Sequence, residues 1–203
     1  MAENLGKSEV AEELTDSLKR SVATLEQRDV PYLLGGGLGC WARGGPPSSN
    51  DIDLMVKRED AERAQEALAE AGMRPETPPE QWLLKAWDGD HLVDLIFEAA
   101  GLPITDEVFA RADRLSVAAM TMPVMALEDV MTTKLMAMND RSLDYEQVLQ
   151  IARSLRELID WDEVRARTAE SPYAAPFFTL IEKLGIVPRH EVPEASRPRI
   201  RVA

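Results

Sequence analysis

The sequence predicts a mixed α/β core followed by an α-helical C-terminal part. Up to Pro123, short apolar runs of strand length alternate with helical periodicities. Beyond Pro123 every periodic segment is helical. In the core, the turn Gly35-Gly36-Gly37 follows the first apolar run, and Asp51-Ile52-Asp53 opens the next. Glycines let backbone approach a ligand closely, and two acids one residue apart on a strand share a face.

Residues 8–28 read as an amphipathic helix, with Val10, Leu14, Leu18, Val22 and Leu25 at helical spacing and Pro31 ending it. Residues 32–34 form a short apolar strand that runs into the glycines, and a brief helix over 38–43 follows. Residues 44–50 are a loop by composition, 51–56 a strand, and 59–71 a helix whose end Gly72 caps. Two strands over 82–87 and 92–97 flank Asp88-Gly89-Asp90-His91, a hairpin signal. A short helix over 106–112 and a strand over 115–122 complete the core. Helices over 127–140, 143–158, 161–169 and 173–184 follow, then a proline-containing tail. The expected organisation is a core with its N-terminal helix over 1–123, a helical region over 124–187 and a flexible tail over 188–203.

The 203 residues suffice for a sizeable core. Acidic residues outnumber basic ones 36 to 23, giving a formal charge of −13. Such a surface repels nucleic acid at long range unless a local basic patch offsets it, and it argues against a membrane-docking role. Cys40 is the only cysteine, so no intramolecular disulfide forms, and with only two histidines a zinc site is not supported. The polar, acidic N-terminus and the absence of a long apolar run give the expectation of a soluble, cytoplasmic protein.

Burying Asp51 and Asp53 side by side is costly without a cation, and Mg²⁺ bound with a nucleoside triphosphate (NTP) supplies one. Asp94 is an acid inside the apolar run Val93-Asp94-Leu95-Ile96-Phe97, an unfavourable strand position. If its strand neighbours the first, Asp94 converges on Asp51 and Asp53. Three carboxylates can hold two metal ions for an in-line displacement, with Asp94 as general base or shared ligand.

In order and spacing, Gly36-Gly37, a short helix, a loop with Ser48-Ser49, Asp51-Ile52-Asp53-Leu54 and a later strand Asp94 resemble nucleotidyltransferases of the DNA polymerase beta superfamily. The resemblance implies an α/β (α+β) nucleotidyltransferase core, a small mixed sheet flanked by helices, ahead of the α-helical part. It implies Gly36, Gly37 and Ser49 on the triphosphate, and Asp51, Asp53 and Asp94 as catalytic ligands of two Mg²⁺ ions. Pro123-Val124, Leu127-Glu128-Asp129-Val130, Lys134-Leu135 and Arg141–Asp144 look like the helical part of bacterial toxin-type members, the abortive-infection or type IV toxin–antitoxin-like branch. That branch adds Lys134 and Asp144 to the nucleotide site. The implied reaction moves a nucleoside monophosphate from an NTP, such as ATP, to an acceptor hydroxyl and releases pyrophosphate. The toxin-like reading, with tRNA or protein as acceptor and a cognate antitoxin as partner, ranks first; a small-molecule acceptor, as in antibiotic-modifying enzymes, is the alternative. A non-catalytic nucleotide-binding or interaction module is the alternative outside enzymes. The chain departs from the pattern at Pro47, where an arginine is common, and at Gln147, where a second aspartate is common.

Other residues carry plainer readings. Lys134 also reads as a solvated helix lysine, and Asp144 as the N-cap of the next helix. Arg43 reads as a surface arginine, Asp88 and Asp90 as turn chemistry, and Cys40 and the methionines between 120 and 138 as packing. Lys85 lies between apolar strand neighbours and faces either the site or solvent. The locally basic tail with Arg189, Arg197, Arg199 and Arg201 reads as solvated, or as a contact for RNA or a partner.

Overall fold

The structure, a computed structural model, describes residues 2–48 and 51–189, with side chains from residue 12 onward. Helix α1 (Ala2–Gln27) leads through β1 (Leu33–Leu34) and α2 (Gly36–Trp41) into β2 (Ile52–Met55). A 3-10 turn (Arg58–Asp60) opens α3 (Ala61–Glu70), which is followed by β3 (Arg74–Glu76), β4 (Leu83–Asp88) and β5 (His91–Ile96). The small hairpin of β6 (Glu98–Ala99) and β7 (Leu102–Pro103) precedes α4 (Asp106–Ala110), β8 (Asp113–Val117) and β9 (Met120–Val124). Helices α5 (Leu127–Ala137), α6 (Tyr145–Leu155), α7 (Trp161–Arg167) and α8 (Ala174–Lys183) form the C-terminal part.

Seven strands make one mixed sheet in the order β3-β4-β5-β2-β1-β9-β8. The pairs β2–β5 and β1–β9 are parallel and the other pairs antiparallel. The fold is therefore mixed α/β with a helical C-terminal part, as the sequence predicts. Alternation along each strand divides the residues between the two faces. Ile52, Leu54, Val93, Leu95 and Ala86 join Leu18, Val22 and Leu25 of α1 and Ala64 and Leu68 of α3 in one buried cluster. Leu33, Met55, Leu83 and Ile96 join Met131 and Leu135 of α5, Ile151 of α6 and Phe177 and Phe178 of α8 in the other. The helical part thus packs on the face opposite α1 and α3.

Buried Asp129 on α5 anchors the helical part. Arg111, just beyond α4, donates to both its oxygens at 3.0 and 2.7 Å, and Arg167 of α7 donates to Oδ1 as well. Two guanidiniums compensate one carboxylate that is 1 % exposed; Arg167 also pairs with Glu163.

Several boundaries differ from expectation. Residues 115–122 are not one strand but the hairpin β8–β9, turning at Ala118 and Ala119, both with positive φ. No glycine or asparagine marks that turn. Strand β3 is not expected from the sequence, because Arg74-Pro75-Glu76 has no strand composition and pairs only at the sheet edge. The helix expected over 127–140 stops at Ala137, and that over 143–158 ends as a 3-10 turn, Arg156–Leu158. The β4–β5 hairpin is as expected, with Gly89 at φ +61 in its two-residue turn.

Candidate active site

Strand alternation turns Asp53 and Met55 of β2 away from α1 and α3, and does the same for Asp94 and Ile96 of β5. Because β2 and β5 are parallel neighbours, Asp53 and Asp94 stand directly side by side. The rung continues across two more strands: Lys85 of β4 opposes Asp94, and Glu76 of β3 opposes Lys85. Lys85 Nζ lies 3.8 Å from Asp94 Oδ1. Glu76 Oε2 accepts from Trp87 Nε1 at 2.8 Å. Four charged residues thus cross the open part of this face, with Arg74 beside them, over the Trp87 ring and 3.7 Å from Glu76 Oε2. Asp51 stands exposed just before β2.

The glycine turn is fitted to Asp53. Gly36 has φ +53, and a Cβ there would fall on the Asp53 carboxylate. Only glycine combines that backbone with that approach. A Cβ at Gly37 would strike Ser48 Oγ, so the loop after α2 folds back over the turn. The Gly37 amide donates to the Asp53 carboxylate, and the Gly35 amide donates to the Asp53 carbonyl at 2.9 Å. Ser48 therefore lies against the glycines, while Ser49 falls outside the described residues.

Burial pushes the Asp53 carboxyl up to about 6, aided by Asp51 and opposed by Lys134 and the Gly37 amide. Asp94 is likewise pushed up to about 6 by burial, against the pull of Lys85 and with the charges of Asp53, Asp51 and Glu76 adding to the rise. Asp94 Oδ1 is buried with no hydrogen-bond partner. Two adjacent enclosed carboxylates, one with an oxygen lacking a donor, form an oxygen donor set suited to Mg²⁺. Among the described residues no three His, Cys, Asp or Glu side chains already close on one point.

Lys134 of α5 acts on Asp53 and on buried Cys40, whose thiol burial pushes up to about 11. Its ammonium donates to Gln147 Oε1 at 2.7 Å. Asp144 caps α6 by accepting from the Gln147 amide at 3.2 Å. Lys134, Asp144 and Gln147 line one cavity of about 180 Å³, and Gln147 also borders a second beside Gly37 and Ser48. Gln147, known from the sequence only as a departure from a pattern, thus joins the two. Lys85 faces the site, and Glu76 was not singled out at all, since only the β3–β4 register brings it there. Arg43 is not a surface arginine: its side chain is 7 % exposed, and its guanidinium pairs with Asp113 at 2.9 Å and donates to the Gly39 and Val124 carbonyls. Asp88 at the hairpin end pairs with Arg20.

The seven-stranded mixed sheet flanked by helices on both faces matches nucleotidyltransferase folds. The chain is similar to ANT(2")-Ia in a crystal structure with adenylyl-2"-tobramycin, with TM-score 0.61 and 16 % identity over 80 % of this chain and 98 % of that one. A solution structure of the same antibiotic-resistance factor gives TM-score 0.60 and 15 % identity over 84 % and 96 %. An antigenic nucleotidyltransferase-like protein from Paracoccidioides brasiliensis gives 0.52 and 17 % over 85 % and 93 %. At these identities the likeness is one of fold. Residues 8–182 match the family described as uncharacterised nucleotidyltransferase, and the chain belongs to that family. No curated protein matches it significantly in sequence.

Proposed function

We propose that the chain transfers a nucleoside monophosphate from an NTP to a hydroxyl of a small acceptor and releases pyrophosphate. The observation that carries this reading is the pairing of Asp53 with Asp94 against Gly36, with a buried Asp94 oxygen lacking a hydrogen-bond donor. Asp51, Asp53 and Asp94 would hold Mg²⁺, which when bound supplies positive charge at the phosphate oxygens. Gly36, Gly37 and the Ser48-Ser49 segment hold the β- and γ-phosphates, and Lys134 and Asp144 complete the nucleotide side. The acceptor oxygen attacks the α-phosphorus as the bond to the bridging oxygen of pyrophosphate breaks. Asp94, beside the attacking hydroxyl, receives its proton as general base. The remaining catalysis is positioning.

The chain carries a net charge of −13. That favours a compact, cationic, hydroxylated acceptor over RNA. The fold neighbour ANT(2")-Ia is in complex with adenylyl-2"-tobramycin, an adenylylated small molecule, which supports a small acceptor here. A toxin-like reading, with tRNA or protein as acceptor, draws on Lys134 and Asp144 lining one cavity. The test is incubation with each α-labelled NTP, Mg²⁺ and separated small-molecule, RNA and protein fractions of a cell extract. Label on a small molecule supports the proposal, label on RNA or protein replaces the acceptor class, and no transfer in any fraction refutes the enzyme reading.

A further inference from the structure

The position of Lys85 has no role in the reaction just described, yet it is set opposite Asp94 by strand register. Its ammonium lies 3.8 Å from the Asp94 oxygen that has no hydrogen-bond partner. This is an ion pair at a separation beyond a hydrogen bond, so the contact neutralises without satisfying the acceptor. On its other side Lys85 has a second carboxylate in register, Glu76, whose Oε2 accepts from Trp87 Nε1 at 2.8 Å and lies 3.7 Å from Arg74, leaving its other oxygen for Lys85. The Lys85 backbone is fixed independently, since its carbonyl accepts from Gln65 Nε2 at 2.8 Å. A flexible four-carbon stem on a fixed backbone, with an acid on each side, has two stations for one charge.

We propose that Lys85 is a tethered cation that occupies the Asp94 carboxylate in the free protein and competes there with the divalent metal. This rests on the reading of Asp53 and Asp94 as metal-holding carboxylates. In the free protein the ammonium offsets part of the cost of enclosing Asp94. When metal enters, Lys85 swings toward Glu76, and its retained positive charge keeps metal affinity low until the triphosphate adds negative charge. Metal and nucleotide therefore load together. Lys85 is a positioning residue, acting through Asp94.

The experiment is calorimetric titration of the full chain with Mn²⁺ alone, without nucleotide, alongside thermal unfolding with and without Mn²⁺. Lys85→Met and Lys85→Gln should bind Mn²⁺ about tenfold more tightly than the parent, a change of ~1.4 kcal/mol. Lys85→Arg, which keeps the charge, should bind as weakly as the parent. Without metal, Lys85→Met should unfold at a lower temperature than the parent, and Mn²⁺ should restore it. Asp94→Asn separates the two layers of the argument. Mn²⁺ binding that depends on Asp94 but is unchanged or weakened in both Lys85→Met and Lys85→Gln overturns the role of Lys85 alone. Binding indifferent to Asp94, or none in any variant, overturns the carboxylate reading and this proposal with it.

Discussion

The two faces of the sheet use the same strands for opposite purposes. On β2, Ile52 and Leu54 are fully buried beneath α1 and α3, while Asp53 between them faces the glycine turn. On β5, Val93 and Leu95 flank Asp94 in the same way. One face is apolar where α1 and α3 cover it and contributes stability, with Asp88 and His91 at the hairpin end meeting Arg20 and Glu13 of α1. The other is apolar only where Met55, Ile96 and Leu83 meet the helical part, and elsewhere carries Asp53, Asp94, Lys85 and Glu76 in one rung. Adjacent residues should therefore respond oppositely to substitution.

The largest expected loss of stability lies on the apolar face. Leu54→Ala removes a fully buried side chain and should destabilise by about 2–5 kcal/mol, read from urea unfolding. A loss under ~1 kcal/mol would mean that this face is not the packed one. Gly36→Ala comes next. It forces alanine into a left-handed conformation and onto the Asp53 carboxylate, and should cost about 1–3 kcal/mol. Adding Asp53→Gly to Gly36→Ala should return part of that loss; strictly additive effects would show that the two residues do not press on each other.

A substitution on the charged face should instead raise the stability of the metal-free protein. The Asp53 carboxyl, pushed up to about 6, holds its proton more tightly when folded than when unfolded, where it titrates near 3.8. Its contribution favours the fold below about pH 4 and is lost as pH rises through about 6. The span is up to ~3 kcal/mol. Asp53→Asn should remove that loss, so the metal-free variant exceeds the parent at pH 8 and gains less or nothing at pH 4. Equal stability of the two at pH 8 in chelator would contradict the enclosure of this charge. The smallest effect concerns Lys134: Lys134→Met should raise KM for the NTP about tenfold with kcat little changed, as loss of a uniform binding contact would. An unaltered KM would contradict a role for Lys134 in holding the nucleotide.

Much of this was legible in the sequence because it is local. Asp-x-Asp alternation, an acid within Val93–Phe97 and Gly89 in a two-residue turn each follow from a few adjacent residues. What stayed hidden depends on pairing between distant segments. That β2 lies beside β5 is decided by sheet order, and with it the contact of Asp53 and Asp94. Lys85 was ambiguous between site and solvent until its register was known, and Glu76 sits on a strand that Arg74-Pro75-Glu76 does not announce. Arg43 and Asp129 were hidden for a different reason. Each is a charge whose burial is compensated by a partner far along the chain, Asp113 for the first, Arg111 and Arg167 for the second.

The central claim is that Asp53 and Asp94 form one transfer site. It is tested most directly by Mg²⁺-dependent pyrophosphate release from the preferred NTP with acceptor, comparing the parent with Asp53→Ala and Asp94→Ala, each verified as folded by unfolding in chelator. Each variant should lose at least about 10³-fold in kcat/KM, and the double variant should lose little more than either alone, because the two act as a unit. A folded Asp53→Ala or Asp94→Ala protein that releases pyrophosphate at the parent's rate would contradict the account.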